Sequence, residues 1–242
     1  MCGKTELKAI ILAGGLGTRI SEETNTKPKP MVLLDDKPII WHLMSIYATQ
    51  GFNDFIVATG YRGEVIFDWV DNHLDEDWHV TLLDTGLETM TGGRIRQCME
   101  SVPGERVFAT YGDGLGNVNL NELITFHEKM GRIATITAVR PPSRFGVLEI
   151  EKSIVTHFGE KKQTDAGWIN GGFFVLEPEV INFIDSNTDS FEAISLPKLS
   201  NKGELAAFYH EGFWQPMDTL REKMILQEML NNELPPDWIN IV

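Results

Sequence analysis

Lys8-Ala-Ile-Ile-Leu-Ala-Gly-Gly-Leu-Gly-Thr-Arg19, followed by Lys27-Pro-Lys-Pro30, is the stretch that decides the fold. Ala9 to Ala13 is apolar without polar alternation, the pattern of a strand buried on both faces of a parallel sheet. Gly14, Gly15 and Gly17 then strip the turn of side chains, so its backbone can bend sharply and close its N–H groups on an anion. Thr18 and Arg19 add a hydroxyl and a fixed positive charge, which suits a polyphosphate. An ordinary glycine-rich turn would show the same three glycines; Arg19 and the lysines that follow weigh towards phosphate. Two familiar glycine motifs fail. The dinucleotide pattern G-x-G-x-x-G meets Ile20 at its third position, and no G-K-[ST] triplet occurs in the stretch. Each proline disfavours helical geometry in the residue before it, so Lys27 to Pro30 is expected to be extended and to hold Lys27 and Lys29 stiffly.

A chain of 242 residues, 42% of them hydrophobic, can bury one large core. The formal charge of −14 argues against wrapping nucleic acid or lying on an anionic membrane. An acidic protein that binds a polyanion must gather its bases locally, and the first thirty or so residues do so, leaving carboxylates elsewhere to hold a divalent metal. Cys2 and Cys98 are the two cysteines, without zinc spacing. The polar start and the glycines that interrupt the first apolar run predict neither a signal peptide nor a spanning helix, hence a cytoplasmic protein.

Further along, Pro38 to Gln50 carries Ile39, Ile40, Leu43, Met44 and Tyr47 at helical spacing, and Asp54 to Thr59 reads as a second buried strand. Glu64 to Asn72 reads as a helix, with Trp69 in the core. Val80 to Leu83 is a third strand. The loop from Asp84 to Arg94 opens a helix predicted from Arg94 to Ser101, and Gly92 and Gly93 at its entrance would expose N–H donors; a plain surface loop fits equally. Arg106 to Tyr111 runs into Gly112-Asp113-Gly114. An aspartate there stands at the carboxyl end of a parallel strand, where α/β sheets bind ligands, although an Asx turn or a helix cap would use the same residue. The alternation, continued by a helix over Asn119 to Met130 and a strand over Ile133 to Val139, predicts a Rossmann-like, doubly wound α/β sheet, mixed but mostly parallel, with helices on both faces. Beyond it come a hairpin, Val147 to Glu151 with Ile154 to Phe158, and a strand over Trp168 to Leu176. Helices from Pro178 to Asp185 and from Phe191 to Ser200 follow, then a strand over Leu205 to Tyr209 and a terminal helix from Leu220 to Leu230. Asp218 and Thr219 stand where that helix needs an N-cap.

Leu12-Ala-Gly-Gly-Leu-Gly-Thr-Arg19 with Lys27-Pro-Lys-Pro-Met31 resembles the opening of the sugar-1-phosphate nucleotidylyltransferases. Thr110-Tyr-Gly-Asp-Gly114, Arg144-Phe-Gly146, Ile169-Asn-Gly-Gly-Phe-Phe174 and Gly212-Phe-Trp-Gln-Pro-Met-Asp-Thr-Leu-Arg221 are similar to its cytidylyl branch, as are Asp84-Thr-Gly86 and Met90-Thr-Gly-Gly-Arg94. The resemblance spans nearly the whole chain. It implies one nucleotidyltransferase domain, with a nucleotide-binding half over about 7–139 and a sugar-binding half over about 140–242 that includes a small β-rich lobe. It implies CTP and a sugar 1-phosphate, glucose 1-phosphate first, as substrates, Mg²⁺ as cofactor, and a homo-oligomer. By the same resemblance Leu12, Ala13, Gly14, Gly15, Gly17, Thr18 and Gly112 border the nucleotide, with Arg19 on the departing pyrophosphate and Lys29 on the reacting phosphate. Thr89 and Arg94 lie near the base, Asp113 and Asp218 hold the metal, and Glu160, Lys161, Asn170 and Gly171 meet the sugar phosphate, Lys161 also serving catalysis. Two rivals from other classes stay open. A nucleotide-binding regulatory protein would be expected to lose Asp113, Asp218 or the lysines, and a dinucleotide-dependent oxidoreductase would need the missing third glycine.

Overall fold

The apolar run after Lys8 forms β1 (Ala9–Leu12), and its alternating side chains serve two separate cores: Ala9 and Ile11 join one, Ile10 the other. The computed structural model describes residues 7–74, 77–141, 146–160, 167–231, 236 and 238, with the backbone alone described for 146–151 and 157–160. After the glycines come α1 (Ser21–Thr24), a small hairpin of β2 (Leu33–Leu34) and β3 (Lys37–Pro38), and α2 (Ile39–Ala48). The five residues at helical spacing in α2 are all fully buried, and Ile39, Ile40, Leu43 and Met44 each stabilise the fold by about 1.5–3 kcal/mol. The alternation continues through β4 (Asp54–Thr59), α3 (Gly63–His73), β5 (His79–Asp84), α4 (Thr91–Glu100) and β6 (Val107–Tyr111). Then follow β7 (Gly114–Gly116), α5 (Leu120–Met130), β8 (Ala134–Val139), the hairpin β9 (Gly146–Glu151) with β10 (Ile154–Glu160), and β11 (Ile169–Leu176). The chain closes with α6 (Leu196–Asn201), β12 (Leu205–His210), β13 (Trp214–Pro216) and α7 (Leu220–Leu230).

The main sheet has seven strands in the order β12-β8-β11-β6-β1-β4-β5, and β11 alone runs against its neighbours. This is the mixed, mostly parallel sheet expected. Residues from α2, α3, α5 and α7 pack on one face, and residues from α4, α6 and the segment between β11 and α6 on the other. Because β1 pairs with β4 on one side and with β6 on the other, the chain reverses its winding direction at β1. That switch point opens a crevice above the carboxyl ends of β1 and β6, bordered by Gly14 and by Gly112-Asp113.

Three local expectations differ from the structure. Pro28 is extended, but Lys29–Met31 is a 3-10 turn, because Met31 N–H donates to Pro28 O at 2.9 Å and Val32 N–H to Lys29 O at 3.0 Å. These bonds outweigh the preference that Pro30 imposes on Lys29. Helix α4 begins at Thr91, so Gly92 and Gly93 lie in its first turn rather than ahead of it. The stretch after Pro178 is a 3-10 helix, Pro178–Phe183, and Phe191–Ser195 forms a π-turn before α6. Among the described residues, no helix is long and apolar enough to cross a membrane.

Candidate active site

Glycines let the two loops of the crevice touch. Gly112 N–H donates to Leu12 O at 3.1 Å, and a Cβ at Gly112 would come within 2.8 Å of that oxygen and 3.0 Å of Pro30 Cγ. The Lys29–Met31 turn is thereby seated under the loop that carries Asp113. Gly17 takes the left-handed conformation, φ 63°, and its α-hydrogen faces Thr24 and the Lys29 side chain. Leu12 is half-buried and Ala13 and Gly14 are buried, whereas Gly15, Thr18 and Arg19 are exposed. Among the described residues, the N–H groups of Gly15, Leu16 and Gly17 donate to no protein acceptor. Such a run of backbone donors is what an anion-binding loop presents.

Asp113 and Asp218 meet although they belong to different parts of the chain. β7, just after Asp113, pairs antiparallel with β13, just before Asp218, with Pro216 opposite Gly114. Met217 N–H then donates to Asp113 O at 2.8 Å. Lys29 Nζ lies 2.6 Å from Asp113 Oδ2 and 2.6 Å from Asp218 Oδ1, and Arg19 Nη1 lies 2.6 Å from Asp218 Oδ2. Lys29 is buried, while both carboxylates keep partial access to solvent. The cap of α7 is Thr219, which forms a reciprocal capping box with Glu222. Asp218 contributes only its N–H to that box, at 2.8 Å from Glu222 Oε2, so its carboxylate is left to the cations. Lys27 does not join them: it pairs with Glu23 at 3.7 Å, and Glu23 in turn binds Lys223 of α7. The Lys223 ammonium, with Lys27 adding to it, holds the Glu23 carboxyl below the usual carboxylate range.

At the far side of β4, Arg94 is buried with both terminal nitrogens bonded to the protein. Nη1 donates to Thr59 O at 2.8 Å and to Thr85 Oγ1, and Nη2 to Gly14 O at 3.0 Å. Burial lowers the Arg94 pKa from its ordinary value, the Asp84 carboxylate working the other way. The resemblance implies a place near the base; the geometry adds that this guanidinium ties β4 and the 85–87 turn to the glycine loop. A Cβ on Gly14 would overlap the Arg94 guanidinium, so a side chain there would displace it from these bonds. Thr89 closes the same turn, its hydroxyl donating to Thr85 O at 2.5 Å. Of the two donors expected at this entrance, that of Gly92 is taken, while the Gly93 N–H has no protein acceptor among the described residues. Gly92 N–H donates to Asp189 O at 3.0 Å, and a Cβ on Gly93 would lie 2.5 Å from Asn187 Cα, so these glycines admit a neighbouring backbone.

Asn170 and Gly171, which the resemblance assigns to the sugar phosphate, follow Ile169 at the start of β11. Gly171 O accepts from Trp214 Nε1 at 2.7 Å, and a Cβ there would meet Val139 Cγ1 at 2.6 Å. The β8–β11 register shifts between Asn170 and Phe174, and Gly172 takes φ 79° against the Tyr111 ring. Glu160 ends β10 opposite Gly146, with its side chain outside the described atoms, and Lys161 lies outside the described residues. Two further polar residues, Tyr111 and Glu192, lie beside Asn170 without a motif that marks them in the sequence. Asn170 Nδ2 donates to Tyr111 Oη at 2.9 Å, and Tyr111 Oη to Glu192 Oε1 at 2.6 Å. The signal in the sequence is weak, one tyrosine in a strand and one glutamate at a helix start.

The chain matches the family described as Nucleotidyl transferase over residues 8–221. It is 47% identical to the glucose-1-phosphate cytidylyltransferase of Salmonella typhi, over 91% of this chain and 95% of that protein. It is 42% identical to the probable glucose-1-phosphate cytidylyltransferase of Bacillus subtilis, over 93% and 96%. Among solved structures, HddC from Yersinia pseudotuberculosis superposes with a TM-score of 0.72 at 26% identity, covering 92% of this chain and 98% of that one.

Proposed function

Since the chain belongs to the nucleotidyl transferase family, whose members of this kind join a nucleoside triphosphate to a sugar 1-phosphate, we propose that CTP is its nucleotide and α-D-glucose 1-phosphate its acceptor. The reaction gives CDP-glucose and pyrophosphate. The convergence of Asp113, Asp218, Lys29 and Arg19 beside the glycine loop carries this reading, because such a cluster handles polyphosphate. The 47% identity over 91% of the chain supports the choice of CTP and glucose 1-phosphate.

The residues fit Mg²⁺. Asp113 and Asp218 are hard oxygen donors already directed at one shared cation, the Lys29 ammonium. Among the described residues no third His, Cys, Asp or Glu joins them, which suits an ion that takes one or two carboxylates and fills its other positions with water and phosphate. When bound, Mg²⁺ supplies charge neutralisation to the phosphate oxygens.

The chain's own groups then have distinct tasks. The N–H groups of Gly15 to Gly17 bind the triphosphate, and Arg19 neutralises the leaving pyrophosphate. Lys29, once released by the aspartates, pairs with oxygens at the α-phosphate. The acceptor oxygen attacks the α-phosphorus in line with the departing oxygen; a phosphate monoester is ionised at neutral pH, so no side chain must take a proton. Positioning two polyanions and offsetting their repulsion supplies the rate.

The test is pyrophosphate release with Mg²⁺, each of CTP, UTP, GTP, ATP and dTTP, and a panel of sugar 1-phosphates. Turnover with CTP and glucose 1-phosphate at least about tenfold above every other pair supports the assignment, a preference of about 1.4 kcal/mol. A better acceptor with CTP moves it to another sugar or polyol phosphate. A better nucleotide overturns it, and no release with any pair favours a non-catalytic nucleotide-binding protein.

A further inference from the structure

Asn170 is held by a chain of two hydrogen bonds that begins at Glu192. The Glu192 carboxylate, in the π-turn before α6, accepts from Tyr111 Oη at 2.6 Å, from Thr91 Oγ1 at 2.6 Å and from Ser190 Oγ at 2.8 Å. A carboxylate accepts and a phenol has one proton, so Tyr111 spends that proton on Glu192 and turns a lone pair to Asn170. Asn170 Nδ2 supplies the matching donor at 2.9 Å, while its Oδ1 accepts from Gly172 N–H at 2.8 Å. The two bonds agree on one orientation of the amide, and reversing it would set Oδ1 against an oxygen that has no proton left and Nδ2 against an N–H.

We infer that Glu192 is a positioning residue for the acceptor end of the site, acting through the Tyr111 hydroxyl to fix the orientation of the Asn170 side-chain amide. The inference rests on the proposed reading, in which Asn170 meets the sugar. The arrangement leaves one N–H and one oxygen lone pair of the amide for a sugar hydroxyl pair. Tyr111 is set rigidly for the task. Its ring packs edge-on against Phe174, centroids 5.7 Å apart, and lies against Gly172, whose missing Cβ makes room for it. The π-turn that presents Glu192 is a local irregularity of a kind found frequently at functional sites.

Steady-state kinetics of Tyr111→Phe, Glu192→Gln, Asn170→Ala and Asn170→Ala/Tyr111→Phe test it, with CTP and glucose 1-phosphate or the best pair from the substrate panel. Tyr111→Phe and Glu192→Gln each raise KM for the sugar phosphate about tenfold, the weight of one oriented hydrogen bond, and leave KM for the nucleotide within about twofold. The double variant is no worse than Asn170→Ala alone, because the relay then has no amide to orient. Equal shifts in both KM values, or additive losses in the double variant, assign Tyr111 and Glu192 to general packing and overturn the inference. An unchanged sugar-phosphate KM in both relay variants, while Asn170→Ala raises it, overturns the inference alone. An unchanged KM in Asn170→Ala overturns the placement of the sugar and the relay with it. Glu192→Gln keeps the volume of the side chain, so a folded variant is available even if Tyr111→Phe loosens the sheet.

Discussion

Asp113 and Asp218 share one ammonium: Lys29 Nζ stands 2.6 Å from an oxygen of each. Without a cation between them the two carboxylates would repel across a partly water-excluded crevice, and Lys29, buried on its stem, supplies that cation. The arrangement therefore steadies the fold around the crevice and, on the proposed function, serves ligand exchange as well. A divalent ion entering between the aspartates would free a positive charge next to the loop that receives the triphosphate.

Lys29→Met is expected to leave the two carboxylates facing each other unpaired. Partial solvent access moderates the penalty, so a loss of about 2 kcal/mol is expected, less than for a fully buried pair. Millimolar Mg²⁺ should restore a good part of that loss in a thermal melt of the variant. A variant as stable as the parent, or one indifferent to Mg²⁺, would remove the case for a shared cation site.

Asp113→Asn and Asp218→Asn keep the shape of the side chains and halve the charge facing Lys29. Turnover should fall by about a hundredfold or more, the usual scale for a group that stabilises developing charge on phosphate. Folding should change little, because Asp218 caps nothing through its carboxylate: Thr219 and Glu222 hold the start of α7. Near-normal kcat in either variant would sink the role assigned to that residue.

The sequence showed most of the sheet because its strands are short apolar runs and its helices keep a 3.6-residue period, as in α2. The Asp113–Asp218 pairing rested on resemblance alone, since the β7–β13 ribbon that creates it is three residues long on each side and has no pattern of its own. Two glycines look like a loop, so the start predicted for α4, Arg94, falls after the actual one at Thr91. They are helical because the 187–189 backbone packs where their side chains would be, a tertiary cause invisible to local propensity. The Lys29–Met31 turn was read as extended for a related reason: two hydrogen bonds override the dipeptide preference.

The glycines divide into two kinds, which substitution separates. Gly93→Ala should destabilise by about 1–3 kcal/mol, because the new Cβ meets Asn187 Cα and O at 2.5 Å and the backbone there cannot yield cheaply. That loss outweighs the roughly 1 kcal/mol gained from alanine's helix propensity. Gly15→Ala finds nothing within 4 Å and should change stability by less than about 0.5 kcal/mol, while raising KM for the nucleotide. Melts and kinetics of both variants decide it, and an equally destabilised Gly15→Ala would contradict the exposed, ligand-facing loop.

Acid sensitivity should begin at a histidine far from the crevice. His127 has a side chain only 1% exposed, with Nδ1 2.7 Å from Thr135 Oγ1 and Nε2 3.1 Å from Glu177 Oε1. Burial pushes its pKa below the ordinary histidine value; Glu177 and Glu128 pull upwards and Arg106 downwards, and burial prevails. The unfolded chain, titrating near pH 6.5, therefore takes up a proton before the folded one does. Stability from this residue is full above that pH and is lost as the pH falls towards the lower folded value. His42 and His210, also lowered chiefly by burial, contribute with the same sign. Glu177, raised by burial but lowered further by Arg106 and His127 together, loses its contribution only in the more acidic carboxylate range. Melting temperature should thus decline from pH 7 to pH 5.5 in the parent protein, and less steeply in His127→Gln. An identical slope in the two proteins would show that His127 takes its proton equally well in both states.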